Sequence, residues 1–105
     1  MAEVIENISS EELDIYISEK RSDMVLVDVR NSDKFMKKRI KGAINIPYDN
    51  IIDEKYSLPR RKTIIVYCDR GGTSMLAAKY LVSKGYTVKN VVGGITNYRG
   101  KNIVQ

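Results

Sequence analysis

The 105-residue chain contains no histidine, no tryptophan, one cysteine, one phenylalanine and two prolines. With no imidazole and a single thiol it lacks the donor set of a structural zinc site, and it calls for no metal or cofactor. One cysteine makes no intramolecular disulfide, which fits a reducing, cytoplasmic setting. No apolar run approaches the ~20 residues that cross a bilayer. The first residues, Met1-Ala2-Glu3-Val4-Ile5-Glu6, are acidic and short of an apolar block, so neither a secretory signal nor a membrane partner is expected. Repeats, linkers and low-complexity tracts are missing too, and residues 1–105 read as a single domain with room for one core.

What is present is ordinary for a soluble globular chain: 43% apolar residues, 30% charged residues and a net charge of +5. The basic residues are dispersed. Their densest groups, Lys37-Lys38-Arg39 with Lys41 and Arg60-Arg61-Lys62, are not interleaved with aromatics as a nucleic-acid surface would be. They read as a solvated face, and no nucleic-acid partner is expected. The surplus of positive charge still attracts small anions.

Taken in order, Glu3-Val4-Ile5 suggests a short strand. Ser9 and Glu12 form a capping box, Ile8 and Leu13 a hydrophobic staple, and Leu13, Tyr16 and Ile17 an apolar helix stripe. Met24-Val25-Leu26-Val27-Asp28-Val29-Arg30 is an apolar run ending in charge, the pattern of a strand buried on both faces. Asn31-Ser32-Asp33 offers a cap for a short helix, residues 34–38, with Phe35 as its buried side chain. Residues 42–47 suggest a third strand stopped by Pro47, residues 48–56 a short helix, residues 59–62 a basic turn, residues 87–92 a last strand and residues 95–99 a helical turn. The tail from Gly100 carries little pattern. Strands alternating with helices at this spacing give an α/β fold: a mainly parallel central sheet of about five strands, flanked by helices.

The chain is organised around Thr63-Ile64-Ile65-Val66-Tyr67-Cys68, followed by Asp69-Arg70-Gly71-Gly72-Thr73-Ser74 and a helix over 75–84 that Gly85 ends. A strand that delivers a thiol to a glycine loop at a helix N-terminus makes an anion site with a nucleophile in it. Loop N–H groups and the helix dipole both favour a thiolate over a thiol. A buried cysteine is more often a small apolar residue, but Cys68 ends its run beside Asp69, Arg70 and two glycines, which favours the functional reading. Ligands of parallel sheets bind outside the carboxyl ends of the strands. Asp28, Val29 and Arg30 end a neighbouring strand on that same edge. Arg30 is either part of the site or its rim, or a structural ion pair with Asp28 or Asp69.

These segments resemble the single-domain rhodaneses, a family of sulfurtransferases. Val27-Asp28-Val29-Arg30 is similar to the family's D-V-R segment, Gly42-Ala43-Ile44-Asn45-Ile46-Pro47 to its G-A-x-N-I-P segment, Val66-Tyr67-Cys68 to the entry into its active loop, and Val92-Gly93-Gly94 to its late glycine pair. The loop from Cys68 to Thr73 resembles the six-residue C-x-x-G-x-T type. The chain departs from the family pattern in three places: Arg39-Ile40-Lys41 carries no histidine before Gly42-Ala43, Tyr98 stands near the position of a common tryptophan, and Asp69 adds a negative charge to the anion loop.

The resemblance implies a persulfide-forming transferase with Cys68 as nucleophile. It also implies Arg70 as the cation for an anionic donor such as thiosulfate rather than mercaptopyruvate, and an outside thiol, protein or cyanide as acceptor. Arg30 or a lysine from 37–41 is the alternative source of that cation, with Asp69 pairing Arg70. The loop N–H groups of residues 70–73 would hold the persulfide, Gly71 and Gly72 would allow close backbone approach, and Thr73 or Ser74 would either offer a hydroxyl to the sulfur and cap the helix, or cap the helix only. Two other classes remain open: a sulfur-carrier or regulatory binding module, and a Cys-dependent phosphatase or arsenate reductase. The last needs an arginine at the position that Ser74 occupies.

Overall fold

The computed structural model describes residues 4–105. In chain order the elements are β1 (Glu6–Ile8), α1 (Ser10–Ser18), β2 (Met24–Asp28), α2 (Ser32–Lys37), β3 (Arg39–Ile40), β4 (Ile44–Asn45), α3 (Tyr48–Ile52), β5 (Thr63–Tyr67), α4 (Gly72–Ser83), β6 (Thr87–Val91) and β7 (Ile103–Val104). Five strands form one sheet in the order β1-β6-β5-β2-β4, and every pairing in it is parallel. The α/β fold with a parallel five-stranded sheet is therefore the one read from the sequence.

Strand β5 is central because both of its faces are apolar. Ile64, Val66 and Cys68 belong to one core cluster with Val27, Ala77, Ala78 and Leu81. Ile65 and Tyr67 belong to the opposite cluster with Ile8, Leu13, Ile40 and Tyr98. Helix α4 packs on β5 and β6, and α3 packs on α4. Alternate side chains of one strand thus anchor two cores, which is why the run shows no polar–apolar alternation.

Several boundaries differ from the sequence reading, each for a local reason. The first strand is Glu6–Ile8 rather than residues 3–5, and Glu3 lies outside the described residues. Strand β2 stops at Asp28, because the Asp28 carboxylate, at 2.9 Å, takes the backbone N–H of Arg30 that a further ladder bond would use. The residue 42–47 strand shrinks to Ile44–Asn45, preceded by a turn in which Gly42 has φ +86°. Phe35 is only half-buried, its ring covered by the Arg39 guanidinium 4.8 Å from the centroid. Helix α3 ends at Ile52, and Glu54 with φ 57° turns the chain out of it. The helical turn expected over residues 95–99 begins earlier, as turns over residues 92–97 in which the Asn97 N–H donates to Gly93 O at 3.3 Å. Ser9 caps α1 as expected, its hydroxyl accepting from the Glu12 N–H at 3.1 Å.

The tail is an element in its own right. Ile103–Val104 pairs antiparallel with Arg39–Ile40 in a second, two-stranded sheet. It is tied to α1 through Tyr98. The Tyr98 hydroxyl donates to Asp14 at 2.5 Å and accepts from the Asn102 N–H at 2.9 Å, and Asn102 Nδ2 donates to Asp14 at 3.1 Å. Burial, with Asp14 alongside, pushes the Tyr98 phenol up, so it keeps the proton it donates. Tyr98→Phe removes both hydroxyl bonds and leaves the chain's shape intact. The expected loss is about 1–2 kcal/mol, or roughly 5–10 °C in Tm for a domain of this size, read by thermal CD.

Candidate functional site

Helix α4 begins three residues earlier than its sequence pattern suggests, and the reason is the sulfur. Its N-cap, Gly71, sits in the left-handed region at φ 105° and offers no side chain to the helix. Cys68 Sγ stands in for the missing cap: the Gly71 N–H reaches it at 3.1 Å and the Ser74 N–H at 3.3 Å. Two donors that a helix N-terminus normally leaves without partners are thus aimed at a thiol. Cys68 is only 4% exposed. Among the described residues, the N–H groups of Gly72 and Thr73 have no internal partner and sit at the cleft beside it.

The loop carbonyls are held from the other side. The Ile95 N–H donates to Cys68 O at 2.9 Å and the Thr96 N–H to Asp69 O at 3.0 Å. Gly94 makes this docking possible: it has φ +61°, and a Cβ there would lie 2.4 Å from Cys68 O and 2.5 Å from Asp69 O. With both carbonyls turned toward residues 95–96, the loop's N–H groups are left for the sulfur and the cleft.

Ser74 is fully buried. Its Oγ lies 3.4 Å from Cys68 Sγ and 2.6 Å from Asn90 Oδ1, with the Gly71 carbonyl at 3.2 Å. Asn90, buried in β6, is held in turn through a 3.3 Å bond from its Nδ2 to Asn7 Oδ1. The hydroxyl therefore joins the sulfur to a buried amide, and the side-chain cap expected of Thr73 or Ser74 is not formed. Thr73 is exposed at the cleft. Asn90 was missed by the sequence reading because nothing local marks a polar residue in a strand as facing a site.

Cys68 opens into a cleft of about 610 Å³ lined by Val29, Arg30, Lys34, Tyr48, Asp69, Arg70, Gly72 and Thr73 among others. Arg30 lines it but is immobilised. Its side chain is 6% exposed, and its guanidinium makes four close contacts: Nε at 3.0 Å to each Asp28 oxygen, Nη2 at 2.6 Å to Asp28 Oδ2 and at 2.5 Å to Lys38 O. Burial disfavours the Arg30 charge, but the Asp28 hydrogen bonds and charge outweigh it and hold the guanidinium above its ordinary value. Both of the ion pairs offered for Arg30 occur, since Asp69 Oδ1 also lies 3.8 Å from Nη1.

Asp69 does not pair with Arg70. Its carboxylate bonds Lys34 Nζ of α2 at 2.5 Å. Arg70 is exposed, lines the cleft and has no carboxylate partner among the described residues. The cation from the α2 region is Lys34 rather than any of residues 37–41, none of which lines the cleft. The residues that the reading assigned to the site, Cys68 to Ser74 with Asp28 and Arg30, therefore meet at one sheet edge. Among the described residues, no helix is long and apolar enough to cross a membrane.

A family model for the Rhodanese-like domain matches residues 9–101, and the chain belongs to that family. It is 30% identical over 93 residues to a sulfurtransferase from Allochromatium vinosum, covering 88% of this chain and 86% of that protein. It is also 35% identical over 92 residues to the adenylyltransferase and sulfurtransferase UBA4 of Meyerozyma guilliermondii, covering 79% of this chain but only 22% of that longer protein. Its fold superposes on a crystal structure of a rhodanese-like domain protein from Staphylococcus aureus with a TM-score of 0.84 at 26% identity, covering 95% of this chain and 97% of that one.

The Gly94 contact yields a direct test of the loop's dependence on its support. Gly94→Ala places a Cβ against two carbonyls and imposes left-handed backbone strain of order 1–2 kcal/mol before any clash. The expected result is a folded protein with a lowered Tm and slower iodoacetamide alkylation of Cys68 at fixed pH. Alkylation at the parent rate would show that residues 95–96 do not position the loop.

Proposed function

We propose that this chain is a sulfurtransferase that takes sulfane sulfur from thiosulfate or a similar anionic donor and carries it as a persulfide on Cys68. The observation that supports this most is the Cys68 sulfur itself, capped by the Gly71 and Ser74 N–H groups at the floor of a cleft that Arg70 also lines. In the first half-reaction the Cys68 thiolate attacks the outer sulfur of thiosulfate. An S–S bond forms to Sγ, the donor's S–S bond breaks, and sulfite leaves with the electron pair. In the second, a nucleophile such as cyanide or a thiol attacks the outer persulfide sulfur and Cys68 departs as thiolate. This is ping-pong covalent catalysis.

Each loop residue has a part in that scheme. The Gly72 and Thr73 N–H groups lie where the outer persulfide sulfur would be held, and the Gly71 and Ser74 N–H groups keep the inner sulfur fixed. Arg70 would meet the donor's sulfonate. Arg30, locked on Asp28, supports the loop's edge rather than reaching for substrate. The chain holds no second cysteine to take the sulfur onward, so the acceptor must come from outside. That requirement suits a protein acceptor as well as a small thiol, and a carrier role follows from the same persulfide. The phosphatase alternative is disfavoured: Ser74 stands where an oxyanion-clamping arginine would be needed, and it is buried against Asn90.

Intact mass after thiosulfate treatment tests the first half-reaction. The parent is expected to gain one sulfur that reductant removes, and Cys68→Ser to gain none and to lose transfer to cyanide with unchanged far-UV CD. A serine variant turning over at the parent rate would overturn the scheme.

Donor choice is expected to turn on Arg70. Losing a charge-assisted hydrogen bond costs roughly 1.5–3 kcal/mol, about a 10- to 150-fold effect. Arg70→Ala should raise the thiosulfate KM on that scale and affect 3-mercaptopyruvate less. Small, equal effects on both donors would show that Arg70 does not select between them.

A further inference from the structure

We propose that Lys34 is a specificity-determining residue whose ammonium is exchanged between Asp69 and the sulfonate of an incoming dianionic donor. The proposal rests on the anionic-donor reading above and adds a residue to it from outside the active loop. Lys34 comes from α2, 35 positions before Asp69 in sequence, yet its Nζ meets Asp69 Oδ2 at 2.5 Å and both side chains line the Cys68 cleft. Of the three cations lining that cleft, Arg30 is committed to buried Asp28 and Arg70 has no acidic partner among the described residues. Lys34 is the one that is held, but held loosely: its side chain is 52% exposed and that of Asp69 42%.

The magnitudes favour exchange. Exposed ion pairs are worth little, because solvent already screens both charges. A dianion at the mouth of the cleft offers Lys34 two charges in place of one, and Asp69 keeps a partial partner in Arg30 Nη1 at 3.8 Å. The pair therefore works as a competitor built into the site. While the cleft is empty, Asp69 occupies Lys34 and its carboxylate faces the space the donor needs. When a dianion arrives, Lys34 turns to it. A neutral donor gains nothing from the exchange, and a monoanion gains less than a dianion, so the device discriminates by charge. Asp69 then sets how costly entry is, which gives a physical role to the negative charge that the sequence placed inside an anion loop.

The test uses the full chain carrying Cys68→Ser, which binds without reacting, and calorimetric titration with thiosulfate. Lys34→Met is expected to raise Kd by about tenfold, the low end of the range for a charge-assisted bond. Lys34→Arg should stay within about threefold of the parent, and Asp69→Asn should lower Kd by up to about fivefold, the scale of an exposed pair. Lys37→Met, one turn along α2 with its lysine outside the cleft, removes the same charge and should leave Kd within about twofold. Three results overturn the proposal: an unchanged Kd in Lys34→Met, weaker binding in Asp69→Asn, or an equal rise from Lys37→Met. Absence of saturable thiosulfate binding to the Cys68→Ser chain overturns it as well. Persulfide formation with Cys68 intact, read by mass, judges the transferase reading separately. Lys34-dependent binding without added sulfur sinks that reading and keeps the exchange, whereas sulfur transfer indifferent to Lys34 does the reverse.

Discussion

Two backbone hydrogen bonds, Ile95 N–H to Cys68 O and Thr96 N–H to Asp69 O, hold the arrangement on which the site depends. A peptide unit presents its carbonyl and its N–H in opposite directions. Fixing the carbonyls of residues 68 and 69 toward the 95–96 turn therefore turns the Asp69 and Arg70 N–H groups to the opposite side and sets the direction from which the chain enters Gly71. Gly71 in the left-handed region then reverses the chain into α4, so that the first turn of the helix closes on Sγ. The glycine pair after β6 is far from Cys68 in sequence, yet Gly94 lies against the backbone carbonyls of Cys68 and Asp69: a side chain there would fill the gap through which these two bonds are made.

Beneath this loop lies a second constraint, of charge. Asp28 is fully buried at the end of β2, and an unpaired carboxylate there would be strongly destabilising. Arg30 meets it from two residues away and is itself spanned by the Tyr67 ring, 5.8 Å from the guanidinium carbon. Burial pushes the Tyr67 phenol well above its ordinary range, so it stays neutral beside that pair, and its oxygen accepts the Ile40 N–H at 3.1 Å. One layer thus joins β2, β3 and β5 under the site. It explains why an arginine that lines the cleft is a poor candidate for moving onto a substrate.

What the sequence made legible was local. The apolar run into Cys68, the glycines after it and the helix beyond occupy consecutive positions, and their physics requires nothing from elsewhere in the chain. The parallel sheet followed from runs too apolar for one-sided burial. The parts that were not legible join residues distant in sequence: Lys34 to Asp69, Ser74 to Asn90, and Tyr98 and Asn102 back to Asp14. None has a periodic signature, since a lone lysine on a short helix or an asparagine in a strand looks the same whether or not it meets a partner. The start of α4 was misplaced for a related reason. Capping patterns look for an oxygen-bearing side chain immediately before the helix, and here the acceptor is a sulfur three residues before the N-cap.

That substitution of sulfur for a capping oxygen bears on how the proposed cycle keeps its geometry. A cap must remain an acceptor, or the first turn of the helix loses its partners. A thiol, a thiolate and the inner sulfur of a persulfide all retain lone pairs toward the Gly71 and Ser74 N–H groups, so every state of Cys68 in the cycle preserves the cap. The charge, by contrast, moves. It sits on Sγ before attack and on the outer sulfur afterward, one S–S bond further into the cleft. The Gly72 and Thr73 N–H groups, without partners among the described residues, are the next two along the same turn. A helix N-terminus offers its N–H groups in a fan rather than a point, so one rigid turn serves both positions of the negative charge. The loop then needs no rearrangement between the two half-reactions, which is the property expected of a preorganised electrostatic site.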